Sequence, residues 1–245
     1  MGSNDPFEAV LDDLAQYLDY AVTEGEAVLE LPPDLADFPR GKRAVPPPAA
    51  VPETTPGLAA IARAVSACTL CRLHEGRTRT VPGQGASNPE IMFVGEAPGE
   101  EEDRSGLAFV GAAGQLLTQM IAAMGYTREA VFIGNIVKCR PPGNRKPQPD
   151  EMAACMPYLK RQIALLKPTV IVALGAVAVK GLFDPKETIT KFRGKWQTFE
   201  GIPVMPTFHP AYLLRYPTAK KDAWDDLRAV LRRLGRTPPP VRRAP

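Results

Sequence analysis

Four cysteines are the residues of this 245-residue chain whose type and spacing most directly suggest chemistry. Cys68 and Cys71 form a C-x2-C pair, whereas Cys139 and Cys155 are spaced as C-x15-C. We find no secretion signal, so we expect free thiols and not disulfides, and a redox C-x-x-C pair would leave two cysteines unexplained. A four-thiolate site would use all four and could hold zinc or a [4Fe–4S] cluster. The wide second pair slightly favours iron–sulfur, and the alternative for Cys155 is a place in the core of its helix.

A second group of candidates directly follows a run of apolar residues that reads as a strand. In the segment GEAPGEEED, Gly95 and Gly99 would let the backbone approach a ligand closely. Glu96 would lie at the end of the strand, where a carboxylate can position or activate a water molecule. Asp103 and the neighbouring acids could instead cap the next segment or pair with Arg104.

An aromatic ring and a buried amide occupy similar positions. Phe109 precedes a predicted helix, where its ring could belong to the core or could stack on a planar base. Asn135 lies inside an apolar strand, near its carboxyl end, and a buried amide needs partners. It could bond to a neighbouring loop, or it could read a base edge, because an amide offers a donor and an acceptor side by side.

One of the two histidines in the chain also follows a predicted strand. His209 begins the segment HPAYLLR, and its position at the end of a strand favours a catalytic role. The other histidine, His74, lies in the cysteine loop. In the same segment, Leu213 and Leu214 stand beside Arg215. Exposed apolar side chains flanked by a basic residue are suited to insertion between stacked nucleobases. The alternative is that both leucines pack under the final helix.

The elements that must position these residues can be predicted from apolar patterning. We expect buried strands at 91–95, 131–137, 169–175 and 202–208, and helices at 114–125, 150–167, 176–183 and about 219–234. Continuous apolar strands that alternate with helices indicate an α/β fold with a parallel sheet covered on both faces. Ligands of such sheets bind at the carboxyl ends of the strands, which is where the polar candidates lie.

The net charge of +3 hides an uneven distribution. Residues 1–38 contain ten acidic residues and no lysine or arginine, which leaves 17 acidic and 30 basic residues, a net charge of +13, on residues 39–245. A basic body suits a polyanionic partner such as nucleic acid. The alternative is a well-solvated basic surface.

Composition divides the chain into three parts. An acidic extension, 1–57, combines a short amphipathic helix at 7–22 with a Pro-rich linker; the body spans 58–234; and a basic, Pro-rich tail covers 235–245. We find neither a signal peptide nor an apolar run long enough to span a bilayer, so we expect a soluble protein of the bacterial or archaeal cytoplasm that does not bind membranes.

The motifs of the body resemble those of the family 4 uracil-DNA glycosylases, the iron–sulfur, thermophile-type members of that group. The resemblance runs from about Leu58 to Leu234. It rests on six elements in order: C-x-x-C before the first strand, GEAPGEEED after it, FVGAAGQLL, N-x-x-K-C-R-P-P, a further cysteine in the following helix, and HPAYLLR. Together, in the expected positions at strand ends, they are very specific.

The resemblance implies a three-layer α/β/α fold with a four-stranded parallel sheet, and a largely structural [4Fe–4S] cluster. The resemblance implies that the cluster is bound by Cys68, Cys71, Cys139 and Cys155. It implies that uracil is bound by Gly95, Glu96, Ala97, Phe109, Asn135 and His209, of which Glu96 and His209 are catalytic. It also implies that the opened duplex is held by Leu213, Leu214 and Arg215. The implied reaction hydrolyses the N-glycosidic bond of flipped-out deoxyuridine in single- or double-stranded DNA, which starts base excision repair. We expect a monomer whose partner is uracil-containing DNA.

The sequence also departs from its relatives. Ala97 stands where some glycosylases have an aspartate, which leaves Glu96 as the candidate carboxylate from that motif. The loop RPPGNRKPQP contains no histidine, so we expect ordinary turnover and no covalent trapping. Two other functions stay open, a non-catalytic nucleic-acid-binding module and a glycosylase for another lesion. For the acidic extension, the options are a solubilising tail, an autoinhibitory contact with the DNA-binding face, and a protein-binding segment.

Overall fold

A computed structural model describes residues 56–183 and 188–238 of the chain. The predicted acidic helix, the linker up to residue 55 and the tail from residue 239 lie outside the described residues. The first described element is a helix that begins at Pro56, two residues before the predicted start of the body at residue 58. Proline suits the first turn of a helix, where its missing N–H is not needed.

The strands form where apolar residues follow one another without a break. They are β1 (Gln84–Gly85), β2 (Ile91–Gly95), β3 (Phe132–Asn135), β4 (Val170–Leu174), β5 (Gln197–Phe199) and β6 (Ile202–Thr207). They pair in the order β1-β3-β2-β4-β6-β5. The middle strands β3, β2, β4 and β6 are mutually parallel, and they correspond to the predicted strands.

The prediction of a four-stranded sheet, parallel throughout, is wrong for the sheet as a whole, which has six strands in the part of the chain that the structure describes. The two additional strands, β1 and β5, lie at the edges and pair antiparallel with β3 and β6. Each is only two or three residues long and is partly exposed, so neither has the continuous apolar run by which the other strands were predicted. The two-residue turn Glu200-Gly201 connects β5 to β6 as a hairpin.

Helices cover both faces of the sheet. They are α1 (Pro56–Ser66), α2 (Leu73–Gly76), α3 (Glu100–Ser105), α4 (Ala112–Ala123), α5 (Pro149–Leu166), α6 (Gly175–Phe183), α7 (Ile189–Phe192), α8 (Pro210–Arg215) and α9 (Lys220–Arg233). Among residues 56–183 and 188–238, none of them has both the length and the apolar character that a bilayer span requires.

Successive side chains of the buried strands enter two separate cores, because a strand alternates its faces. In β2, Met92 and Val94 pack with the helices α1, α5 and α6, whereas Ile91 and Phe93 pack with α4 and α9. The sheet is therefore the middle of three layers. All four parallel strands end at the same edge, and this edge carries the polar residues that follow them.

Candidate active site

A cleft of about 700 Å³ lies at the carboxyl ends of the parallel strands. Its volume falls within the range of roughly 300–1,000 Å³ that is typical of small-ligand sites. Glu96, Phe109, Asn135 and His209 all line it. The strand-end positions predicted from the sequence thus meet in one cavity, although they come from distant parts of the chain.

Asn135, the last residue of β3, is 1% exposed, and neither its side-chain oxygen nor its side-chain nitrogen has a hydrogen-bond partner among the described residues. The alternative in which this amide bonds to a neighbouring loop therefore does not hold. An unpaired buried polar group costs about 1–3 kcal/mol. Because Asn135 lines the cleft, its unpaired donor and acceptor lie beside the space that a ligand would occupy.

The main chain at Asn135 is held in place by a buried ammonium group. Lys138 Nζ donates to the carbonyl oxygen of Asn135 at 2.9 Å and to Gln162 Oε1 at 2.7 Å, and Gln162 donates in turn to the carbonyl of Pro82. Burial lowers the pKa of Lys138 to about 8. These bonds fix the end of β3 and, with it, the position of the amide side chain.

Phe109 contributes an aromatic wall directly beside Asn135. Its φ of 53° is a backbone conformation that residues other than glycine rarely adopt, and such strain often accompanies functional sites. The main chain before it is held on both sides: Gln84 Oε1 accepts from the N–H of Ala108 at 3.2 Å, and Arg128 donates to its carbonyl at 2.6 Å.

Gly95, at the end of β2, makes this arrangement possible. A Cβ at this position would lie 2.5 Å from both Asn135 Oδ1 and Phe109 Cζ, closer than real Cβ atoms approach other groups. Any side chain at Gly95 would therefore push the ring or the amide out of place. Gly95 is not itself among the residues that line the cleft; it leaves room for Asn135 and Phe109, which are.

Glu102 organises the loop that carries Phe109, although it was not among the predicted site residues. Its carboxylate accepts from the backbone N–H groups of Gly99 at 3.0 Å, Val110 at 2.8 Å and Gly111 at 2.9 Å. The bond to Gly99 caps α3, which is the capping role considered for the acids of this segment. The G-x-x-E spacing signals that cap, but only the folded chain reveals the bonds to Val110 and Gly111.

The other acids of the segment make different contacts, although Glu100 and Glu101 also line the cleft. Asp103 is buried and accepts from the backbone N–H groups of Thr78 and Arg79. Arg104 pairs instead with Glu100 and Glu101 on the surface of α3. Asp103 therefore holds the incoming chain and leaves the cleft to its neighbours.

His209 follows β6 and caps the first turn of α8. Its Nδ1 accepts from the N–H of Ala211 at 3.1 Å, so this nitrogen carries no proton and the neutral ring bears its hydrogen on Nε2. Burial, assisted by the positive charge of Arg215, lowers the pKa of His209 to about 4. The neutral ring, 5.6 Å from Phe109 between centroids, can thus donate from Nε2.

Gly175 permits the close position of His209 against the sheet. It has a positive φ of 86°, and a Cβ there would lie 2.7 Å from the Cβ of His209. Both the backbone conformation and the close contact favour glycine at this position.

Glu96 extends from the end of β2 into the cleft. Its main-chain carbonyl accepts from the N–H of Val137, which continues the pairing of β2 with β3. Burial raises the pKa of the Glu96 carboxyl group, and the positive charge of Lys146 partly opposes this rise. Ala97 also lines the cleft and packs against one of the cores. Its methyl side chain adds no charged group to the site.

The segment HPAYLLR places its two leucines differently. Leu213 is 1% exposed and packs with Phe208 and Ala223, so its prediction as an exposed wedge is wrong for this structure. The reason is the helical geometry of α8, which directs Leu213 inward. Leu214 is half-buried, and Arg215 is exposed at the mouth of the cleft.

The four cysteines line a second, smaller cavity. All four are free, and Cys139 and Cys155 are buried. Two cationic side chains also line this cavity, Lys138 and Arg77, and Arg77 Nη1 donates to Cys139 Sγ at 3.2 Å. Burial raises the pKa values of three of these thiols, and it raises that of Cys155 to about 11.

The donor set fits a metal group, because the four thiols face one space beside positive charges that would stabilise thiolates. Within residues 56–183 and 188–238, however, no three Cys, His, Asp or Glu side chains are arranged as ligands of a single metal ion. His74 Nδ1 contacts the carbonyl of Cys71 at 2.8 Å and lies away from the cleft. Cys155 also belongs to a hydrophobic core, which is the alternative considered for it, and this place in the core does not conflict with a role as a ligand.

The segment between the two later cysteines links this cavity to the cleft. Asn144, Arg145 and Lys146 from this segment line the cleft. Arg145 donates to the fully buried carboxylate of Glu151 at 2.6 Å, which anchors the segment to the first turn of α5. One side of the cleft is thereby tied to the helix that carries Cys155.

Comparison with known proteins agrees with this architecture. The model of the Uracil DNA glycosylase superfamily matches residues 82–228. A type-4 uracil-DNA glycosylase of Sulfurisphaera tokodaii is 50% identical over 183 residues, which cover 71% of this chain and 83% of that protein. One from Thermotoga maritima is 52% identical over 63% of this chain and 82% of its own length, and one from Archaeoglobus fulgidus is 41% identical over 73% and 94%. The chain therefore belongs to the uracil DNA glycosylase superfamily, among its type-4 members.

Proposed function

We propose that this protein is a uracil-DNA glycosylase, which hydrolyses the N-glycosidic bond of a flipped-out deoxyuridine in single- or double-stranded DNA. The reaction releases uracil and leaves an abasic site for base excision repair. The observation that carries the proposal is the unpaired, buried amide of Asn135, beside Phe109 and in the same cleft as His209. The sequence similarity to type-4 uracil-DNA glycosylases supports it.

Asn135 would select uracil through complementary hydrogen bonds. Its oxygen would accept from uracil N3–H, and its NH₂ group would donate to O4. Cytosine presents a bare N3 and an amino group, which is the opposite pattern, and would leave the buried amide mispaired. Phe109 would stack on the base, and Gly95 would allow ring and amide to flank it closely.

His209 would stabilise the departing base. When the C1′–N1 bond breaks, its electron pair stays with uracil, and negative charge develops chiefly on O2 and O4. The neutral imidazole would donate from Nε2 to O2, and this bond strengthens as the charge grows. The bond from Ala211 to Nδ1 supports this role, because it fixes the tautomer.

Glu96 would act on the sugar side of the reaction. In its carboxylate form it would orient a water molecule towards C1′, accept a proton from that water and stabilise the cationic character of the sugar. Its partial burial in the cleft limits the contact of the carboxylate with bulk water.

Flipping the nucleotide costs a few kcal/mol of unstacking, and surface groups at the mouth of the cleft can offset it. Leu214 and Arg215 are the candidates, with Arg215 placed to contact a phosphate. Because Leu213 is buried, its contribution would be to support α8 from below.

We further propose that Cys68, Cys71, Cys139 and Cys155 hold a [4Fe–4S] cluster. Such a group would serve as a structural cross-link that joins the loop before α2 to α5 and to the segment that leads into α5. Arg77 and Lys138 would balance its negative charge. Protein purified without oxygen should be brown and contain about four iron atoms per chain, whereas zinc in place of iron would contradict this assignment.

The deciding experiment incubates the full chain with a labelled oligonucleotide that contains one deoxyuridine and then cleaves abasic sites with alkali. We expect cleavage at the uracil position and none with a matched cytosine or thymine oligonucleotide. Binding without base release would instead identify a non-catalytic DNA-binding module. Faster release of hypoxanthine, or of thymine opposite guanine, would identify a glycosylase for another lesion.

A further inference from the structure

Three aromatic rings form a continuous column along α8. Phe208 and Tyr212 stack with their centroids 4.9 Å apart, and Tyr212 and Tyr216 follow with centroids 4.6 Å apart. The spacing of four residues places successive rings on one side of the helix. The column begins at the residue before His209 and ends at the C-cap of α8.

The inner end of the column is fixed. Phe208 is 4% exposed and lines the cleft, and the guanidinium of Arg193 lies 5.3 Å from its ring centroid. Arg193 is held in turn by Asp226, to which it donates through two nitrogens at 2.9 and 2.6 Å. The column is therefore anchored in the body of the protein.

The outer end of the column is open. Tyr216 is 53% exposed and is one of three large hydrophobic side chains that are exposed among the described residues. The neighbouring Arg215 is exposed and lines the mouth of the cleft, as does Tyr212. An anchored aromatic ring beside a cationic group suits a nucleotide, because the ring can stack on a base while the cation contacts its phosphate.

We propose that Tyr216 is a stacking platform for an unpaired nucleobase of the DNA strand that leaves the cleft, at a position next to the excised uracil. This inference rests on the proposed function and assigns a contact to a base other than the target. The column extends from Phe208 in the wall of the cleft to the exposed ring of Tyr216, so it would offer a stacking surface to a strand that leaves the cleft on this side. Stacking tolerates any base, and we therefore expect this contact to favour single-stranded or opened DNA regardless of sequence.

The test measures binding of single-stranded oligonucleotides that contain 2′-fluorinated deoxyuridine, whose electron-withdrawing substituent slows cleavage. Loss of one stacked base corresponds to about a 5- to 150-fold weaker affinity, and we expect a change in this range for Tyr216→Ala. Tyr216→Phe keeps the ring and should stay within about twofold of the wild type. Leu165→Ala, which removes an exposed apolar side chain from α5, is the matched control.

A second series locates the stacked base. Each nucleotide flanking the uracil is replaced in turn by an abasic analogue, and the affinities of the wild type and Tyr216→Ala are compared. We expect the effect of Tyr216→Ala to disappear at one position only. An unchanged affinity of Tyr216→Ala, or an effect that persists at every abasic position, would overturn the proposal. Uracil release by the wild type, measured on unmodified DNA, tests the proposed function separately.

Discussion

Asn135 combines nearly complete burial with an amide that makes no hydrogen bond within the described part of the chain. Such a group lowers the stability of the free protein, and a ligand that pairs with it recovers the lost bonds. The same amide thus makes opposite contributions to folding and to recognition. This separation can be measured, because one substitution should move stability and activity in different directions.

We expect Asn135→Leu, which replaces the amide by an apolar group of similar size, to leave the free energy of unfolding unchanged or to raise it by about 1 kcal/mol. The rate of uracil excision should fall at least 100-fold, because the hydrogen bonds that select the base are lost. Denaturant unfolding and single-turnover kinetics measure the two effects. A variant that is less stable yet fully active would contradict the proposed role.

The pH dependence distinguishes the two proposed catalytic groups. Burial raises the pKa of Glu96, so a fall in pH protonates its carboxylate earlier than that of an ordinary glutamate, and the excision rate should decline with it. His209 has a pKa of about 4, so it stays neutral while the Glu96 carboxylate becomes protonated. Single-turnover rates of Glu96→Gln should be low and lack this decline, whereas His209→Ala should be slowed about 100- to 1,000-fold and keep it. A decline that persists in Glu96→Gln would assign it to another group.

Among the elements, the loop between α3 and α4 depends most clearly on a single side chain. Glu102 accepts hydrogen bonds from three backbone N–H groups, and two of these belong to Val110 and Gly111, which directly follow Phe109. We expect Glu102→Ala to reduce the free energy of unfolding by about 1–3 kcal/mol and to slow uracil excision, because the ring loses its support. Thermal unfolding and single-turnover rates provide the measurements.

Two further variants make this prediction specific. Glu102→Gln keeps an acceptor oxygen and should recover part of both losses. Asp225→Ala removes an exposed carboxylate that pairs with Arg228 on α9 and should change stability by less than about 1 kcal/mol. Full excision activity in a destabilised Glu102→Ala would show that the loop can position Phe109 without this carboxylate.

The elements also show what could be predicted from the sequence. The strand predicted at 91–95 is observed as Ile91–Gly95, because five consecutive buried residues leave a clear apolar run. The short helices Glu100–Ser105 and Pro210–Arg215 were not predicted, since six residues are too few to show a helical period. The edge strands were missed because they are short and partly polar.

The site was predictable to the extent that it follows from topology. Parallel strands end at one edge, so Asn135 at the end of one strand and His209 after another could be placed together from the sequence alone. The inward direction of Leu213 depends on how α8 packs, and the positive φ of Phe109 depends on bonds from distant residues. Neither is encoded in local spacing.

On the scale of the whole molecule, charge separates the first 38 residues from the rest of the chain. Residues 1–38 carry ten acidic groups and no basic ones, whereas residues 39–245 have a net charge of +13. We expect deletion of residues 1–55 to leave the affinity for DNA unchanged at low salt and to reduce solubility, as for a solubilising tail. Titrations at several salt concentrations test this, and tighter binding by the shortened chain would instead indicate autoinhibition.

The two short edge strands have a consequence for the behaviour of the protein at high concentration. A sheet margin with free N–H and C=O groups can recruit a strand from another molecule and so begin aggregation. Here the edges of the sheet are formed by Gln84–Gly85 and Gln197–Phe199, which offer only two or three residues for such pairing. Substitutions that lengthened either segment into a regular apolar strand would therefore be expected to promote self-association, even if they left the catalytic cleft untouched.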